Sequence, residues 1–176
     1  MRITVVFKSL PASELAIMPY NRVVKNLHGL DEKGFVAALE KEYDVAECAD
    51  GEVKTPGRFK FYLGKKWRLA VPRFDVSKLG VIDALDASML QQHVLAPLLG
   101  IGDPRTDENI AFVGGIRGLG ELKRRVDNGE MKVAFALYPV SMKQIIDIAD
   151  TGNIMPPKTT WFEPKLRSGL VIHELV

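Results

Sequence analysis

Cysteine is almost missing from this sequence. Cys48 is the only one among 176 residues, which excludes an internal disulfide and a cysteine-rich zinc site and fits a reducing compartment. Histidine is sparse as well. His28, His93 and His173 lie far apart, with no H-E-x-x-H pair, so no zinc ligand set stands at helical spacing and no metal is expected. No G-x-S-x-G nucleophile elbow occurs, and Cys48, beside Glu47, has no cation next to it in sequence to hold it as a thiolate. Neither sign of charge dominates: 24 basic residues against 22 acidic leave a net charge of +2, so any attraction for an anion must be local. Long apolar runs are lacking too. The opening "MRITVVFKSL" is broken by Lys8, too short for a signal peptide or a membrane span. The expected location is therefore the cytoplasm, with no membrane partner. Internal repeats and low-complexity linkers are also absent.

What remains is an ordinary globular composition, 47% hydrophobic and 26% charged, and a length that suits one domain over residues 1–176 with a core of its own. Ile3 to Phe7 reads as a strand and Leu15 to Val24 as an extended segment carrying Pro19. "DEKGFVAALEKEY" gathers Phe35, Ala38, Leu39 and Tyr43 at helical spacing. A short strand from Val45 to Cys48 precedes a polar loop. "RFKFYLGKKWRLAV" alternates as a half-buried hairpin, and putting Phe59, Phe61, Leu63, Trp67, Leu69 and Val71 on one face requires Leu63 opposite Trp67 and a loop of three or five residues. "DASMLQQHVLAPLLG" predicts a helix opened by Asp86 or Ser88, with Leu90, Val94 and Leu98 inward, ending or kinking near Pro97. Ile110 to Val113 is a strand, the glycine-rich "GGIRGLG" a turn, and "LGELKRRVDNG" a helix stopped at Gly129. "MKVAFALYPV" is a buried strand. "SMKQIIDIADTG" is a helix with a Ser141/Gln144 capping box, apolar Met142, Ile145, Ile146 and Ala149, and Gly152 at its end. "GLVIHEL" closes as a strand. The pattern predicts an α+β fold: a mixed sheet with helices packed on it, one β-hairpin and one strand-helix-strand crossover unit.

Three stretches bear on chemistry. Gly152 is followed after four residues by Pro157-Lys158-Thr159, the spacing of a P-loop with its second glycine replaced by proline. A helix lies before this loop, Pro157 offers no amide and Pro164 blocks a long helix after it, so the mechanical basis of a P-loop is missing. The same segment reads either as a rigid loop tied down by Trp161 and Phe162 or as an anion site built from Lys158, Thr159, Thr160, Lys165, Arg167 and Ser168, donors suited to phosphate or carboxylate. "FVGGIRGLGEL" offers a glycine turn before a helix, a setting that either packs closely or cradles an anion, with Arg117 the residue to bind it. In the hairpin, alternation places Arg58, Lys60 and Arg68 opposite most of the aromatics. That points to a solvated charged face rather than a nucleic-acid surface, and nucleic acid is not an expected partner.

Taken together, "MPYNRVVKNL", "FVGGIRG", "VAFALYPVS" and "MPPKTTWFEPKLRSGL" resemble the carboxyl-terminal half of the family named domain of unknown function 1015, a similarity running from about Leu15 to Leu175. The resemblance implies kinship with ParB-like proteins and with free-serine kinases. It also implies an amino-terminal half carrying an Ala-Asp-Gly-His-His-Arg motif that this sequence does not contain. On that basis the expected role is the substrate- or phosphate-binding half of a small-molecule phosphotransferase or phosphatase, inactive alone. The family would use a nucleotide, ATP or ADP. The expected partners are the amino-terminal half, or a second copy in a homodimer, together with a phosphorylated small molecule. A non-catalytic binding module for nucleic acid or protein is the rival reading. The resemblance directs attention to Lys158, Thr159, Thr160, Lys165 and Arg167 without assigning them catalytic roles.

Overall fold

A computed structural model describes residues 15–164. The strands expected at Ile3 to Phe7 and in "GLVIHEL" lie outside the described residues. Seven strands form one sheet: β1 Ala16–Val24, β2 Tyr43–Cys48, β3 Phe59–Leu63, β4 Lys66–Pro72, β5 Ile110–Gly114, β6 Val133–Ala136 and β7 Thr160–Glu163. Their spatial order is β2-β4-β3-β6-β1-β5, with β7 paired to the first half of β1. Helices α1 Glu32–Leu39, α2 Asp86–Leu90, α3 Gly118–Asp127 and α4 Met142–Asp150 pack on it, and the architecture is α+β. Each adjacent pair is antiparallel. The same-direction element expected of a mixed sheet is confined to the crossover unit β5-α3-β6. Both of its strands pair antiparallel with β1, so they run parallel to each other with β1 between them.

The sheet is covered on both faces, and this explains where the hairpin departs from expectation. Leu63 pairs with Lys66, not Trp67, across a two-residue turn in which Gly64 and Lys65 both have positive φ, 57° and 61°, the geometry that matches the strand twist. In this register the apolar residues divide. Phe59, Phe61, Leu63 and Ala70 enter a core with Phe35, Leu39, Leu90, Val94 and Phe135, whereas Tyr62 and Trp67 enter a second core with Val23, Val113 and Leu122 of α3. A one-sided reading assumed solvent on the far side. Consequently the basic residues are not a solvated face either. Lys60 is bonded to Asp50 at 2.9 Å and Arg68, on the side of Phe61, donates to the Leu63 carbonyl, both with little exposure left.

Elsewhere the local chemistry does what the pattern asks. Asp31 caps α1 by accepting from the Gly34 amide, and Ser141 and Gln144 form the reciprocal capping box of α4. The inward residue of α4 is Ile148, packed with Leu85 and Val140. The apolar Ile146 and Ala149 are exposed, because α4 docks on a small satellite cluster that covers only a narrow stripe. The segment after α2 opens into a π turn, Gln91–Leu95, where the Ala96 amide bonds back to the Gln91 carbonyl just before Pro97. Proline has no amide to continue the ladder. Asp86 is not the cap but the first helical residue, after Leu85.

Candidate anion site at the buried arginine of the central strand

Strand β1 lies between β5 and β6, yet its middle carries two consecutive polar residues that are almost fully buried, Asn21 at 2% exposure and Arg22 at 4%. Because side chains alternate along a strand, the two face opposite sides of the sheet. Each side opens into a cleft.

Arg22 lines a cleft of about 310 Å³ with Ile82, Ala87, Ser88, Gln91 and Gln92 from α2 and its approach, Asp103 to Arg105, and the Pro156-Pro157 loop. Its guanidinium donates to the Tyr20 carbonyl at 2.6 Å and to the Lys158 carbonyl at 3.3 Å and lies 5.4 Å from the centre of the Phe112 ring. Among the described residues it has no carboxylate partner. Burial pushes its pKa down to about 10, with only Tyr20 opposing the shift. A buried charge left without a counter-ion is costly, and a guanidinium supplies five donors, of which two are occupied here. Two further groups on the cleft wall are unsatisfied: the Ser88 hydroxyl and the Gln91 side-chain carbonyl are buried without a hydrogen-bond partner. The Gln91 amide nitrogen is committed to the carbonyls of Ile101 and Gly102. The cleft therefore offers a cationic fork, a hydroxyl and one acceptor. Arg105, also at its edge, is exposed and bonded to Asp103 at 2.7 Å.

The loop singled out in the sequence forms one side of this cleft. Gly152 to Thr159 contains no helix, Pro156 and Pro157 line the cleft, and Lys158, in the left-handed region at φ 57°, is exposed with its ammonium 5.5 Å from the Tyr20 ring centre. Tyr20 in turn meets Phe112 edge-on at 5.7 Å, so Lys158, Tyr20, Phe112 and Arg22 form one cation-aromatic row. Thr159 is buried and its hydroxyl donates to the Pro156 carbonyl at 2.6 Å. Thr160 begins β7 opposite Pro19. Lys165, Arg167 and Ser168 lie outside the described residues. Arg117 is exposed on the turn before α3 and lines neither cleft. Of the glycines of that turn, Gly114 and Gly115 serve close packing: a Cβ on Gly114 would fall 2.3 Å from the Trp161 ring, and one on Gly115 2.8 Å from Pro19.

Arg22 itself is not among the residues that the sequence reading proposed. Its signal was nonetheless present. In "IMPYNRVV" an Asn-Arg pair interrupts the apolar alternation of a strand followed by Val23 and Val24, and polar residues at such a position call for a reason.

Near the foot of α2 a second buried charge sets a pH response. Asp86 accepts from the Gly57 amide at 2.8 Å, and burial raises its pKa to about 6 despite the opposing backbone amides of Gly57 and Tyr138 and the charge of Arg58. The folded state thus holds the proton more tightly than the unfolded chain. This contribution to stability is complete below about pH 4 and is lost as the pH rises to about 6, by up to about 3 kcal/mol. Asp86→Asn should flatten the stability curve across that window and raise the midpoint of unfolding at pH 7, as read by urea denaturation between pH 4 and 7.

Among the described residues no group of three or more His, Cys, Asp or Glu side chains is placed to hold a metal ion, and no helix is long and apolar enough to cross a membrane. The family model described as "Protein of unknown function (DUF1015)" matches residues 2–88. That segment contains "MPYNRVVKNL" but not the other three stretches on which the resemblance was noted. No curated protein matches the chain. Among solved structures, a free serine kinase variant in complex with AMP superposes with a TM-score of 0.51 at 18% identity, covering 86% of this chain and 55% of that one. A conserved hypothetical protein from Pyrococcus furiosus gives 0.50 at 19%, covering 85% and 56%. A free serine kinase variant in complex with ADP gives 0.48 at 19%, covering 86% and 55%. The chain thus spans about half the length of the solved structures it matches, and at these identities the likeness is one of fold.

Proposed function

We propose that this member of the DUF1015 family is the phosphate- or substrate-binding half of a small-molecule phosphotransferase or phosphatase, and that Arg22 receives the anionic group of the ligand. The observation that carries the reading is the buried guanidinium with no carboxylate partner among the described residues, at the wall of a cleft whose other unsatisfied groups are a hydroxyl and a carbonyl. An oxyanion would complete Arg22 and Ser88, and a hydroxyl or ammonium on the same ligand would complete Gln91. A small phosphorylated or carboxylated metabolite has both kinds of group. The fold shared with a kinase crystallised with AMP supports this class and suggests a nucleotide, ATP or ADP, as the cofactor of the complete enzyme.

The arrangement binds and orients; among the described residues the one carboxylate lining the cleft, Asp103, is engaged by Arg105. The chain acts with a partner that supplies the reactive groups, either an amino-terminal half of a relative or a second copy, and alone it turns nothing over. Lys158 stands at the entrance to steer the anion, with Lys165, Arg167 and Ser168 proposed to extend the same donor set.

Calorimetric titration of the isolated chain with AMP, ADP, ATP, serine and phosphoserine tests the reading. At least one phosphate-bearing compound should bind, and at a hundred times its Kd should stabilise the fold by about 2.7 kcal/mol, a rise of about 5–10 °C in Tm for a chain of this size. Absence of binding to the whole series would reject the anion site.

A further inference from the structure

On the other face of β1, Asn21 lines a cleft of about 460 Å³ together with Gly51 to Lys54, Gly115, Gly118, Leu119 and the segment from Ala136 to Pro139, a size common for small-molecule sites. The Asn21 side-chain oxygen is committed, accepting from the Leu137 amide at 3.1 Å. This fixes the orientation of the carboxamide and leaves its Nδ2 as a donor with no acceptor among the described residues. On the same wall begins α3, a ten-residue helix whose amino terminus has no side-chain cap. The Gly118 amide is taken by the Gly115 carbonyl of the preceding 3-10 turn, whereas the Leu119 and Gly120 amides of the first helical turn have no intrahelical acceptor, and the helix dipole favours negative charge there. Gly118, at φ 69°, turns the chain into the helix with open space where a Cβ would stand, so the approach to those amides is not roofed by a side chain.

We infer that this cleft is a second binding site, separate from the Arg22 cleft, for a small organic oxyanion, a carboxylate or phosphate monoester, held by Asn21 Nδ2 and the first-turn amides of α3. The walls given by Val53, Leu119, Leu137 and Pro139 fit a short carbon skeleton. Lys54 and Glu52 share the rim and lie 3.7 Å apart. Their charges offset, and the selection for an anion comes from the amide donors rather than from the rim. With the carboxamide unable to flip without losing the Leu137 bond, these donors discriminate against cationic and purely apolar ligands.

The inference does not depend on Arg22, since the two residues face opposite sides of one strand. Its test is a proton-nitrogen NMR titration of the full chain with inorganic phosphate, phosphoserine, serine and acetate in separate arms. The expected result is a saturable shift of the Asn21 side-chain amide and of the Leu119 and Gly120 backbone amides. If phosphate and phosphoserine produce it the ligand is a phosphate monoester, and if serine and acetate do it is a carboxylate. Asn21→Asp, which replaces the donor by a like charge, should weaken that binding at least tenfold, and Arg22→Met should leave it unchanged. Shifts confined to Arg22 and residues 156–159, or no shift in any arm, would overturn the proposal. The titration of the unmodified chain decides even if the Asn21 variant does not fold.

Discussion

Replacing Arg22 by methionine should abolish most anion binding while leaving the fold as stable as before, or more so. The two effects come from the same cause. Burial acts against the charged guanidinium, lowering its pKa to about 10, a penalty on the order of 3 kcal/mol at neutral pH. An apolar side chain of similar length removes that penalty. Against the gain stand two lost hydrogen bonds to the Tyr20 and Lys158 carbonyls, each worth about 1 kcal/mol net, so the sum lies near zero or on the stabilising side. Binding responds differently. A hydrogen bond to a charged group contributes about 1.5–3 kcal/mol, so the variant should lose about 10- to 150-fold in affinity for the phosphate-bearing ligand. Paired calorimetry and thermal unfolding would read both quantities. A variant that unfolds early and also fails to bind would mean that Arg22 is a structural pin.

Phe135→Ala should show the opposite signature, a large loss of stability. Phe135 is fully buried on β6 and meets Phe35, Phe59 and Phe61 at centroid distances of 6.4, 5.9 and 6.4 Å, so truncation removes the ring that joins the hairpin to α1 beneath the sheet. Large-to-small changes of this kind cost about 3–5 kcal/mol, a third or more of the stability of an ordinary domain, and should lower Tm by about 6–20 °C. A fall of less than about 2 °C would show that this layer is not the principal core.

How far the sequence reveals this molecule differs from element to element. Periodicity and local chemistry were sufficient where the determinants are local: the Ser141/Gln144 box, the Gly129 and Gly152 stops, and the crossover from Ile110 to Val133 all stand as read. Register failed where it depends on what lies across the sheet. Tyr62 and Trp67 read as members of a one-sided alternation only if the far side is wet, and α3 makes it dry. Which of the apolar residues of α4 turn inward could not be read locally, because the docking surface is completed by Leu85, far away in sequence, beside Val140.

The cleft was legible only in part. Its loop was recognised, through "MPPKTT" and the donors around it, whereas the groups at its wall come from three separated stretches, Arg22, Ser88 to Gln92, and Asp103 to Arg105. Burial of a charge is a tertiary property. The Asn-Arg break in the apolar pattern marks the position, but whether the arginine ends in solvent or against Phe112 shows only in the assembled sheet. The same holds for Asn21, whose neighbour in sequence faces the opposite cleft.

The central claim is that the Arg22 guanidinium contacts the bound anion. The most direct measurement follows the Arg22 Nε–H resonance by NMR while the phosphate-bearing ligand found by calorimetry is added. The account predicts a saturable shift of that resonance with the calorimetric Kd, accompanied by the Lys158 backbone amide. Saturation of binding with the Arg22 resonance unmoved would contradict it.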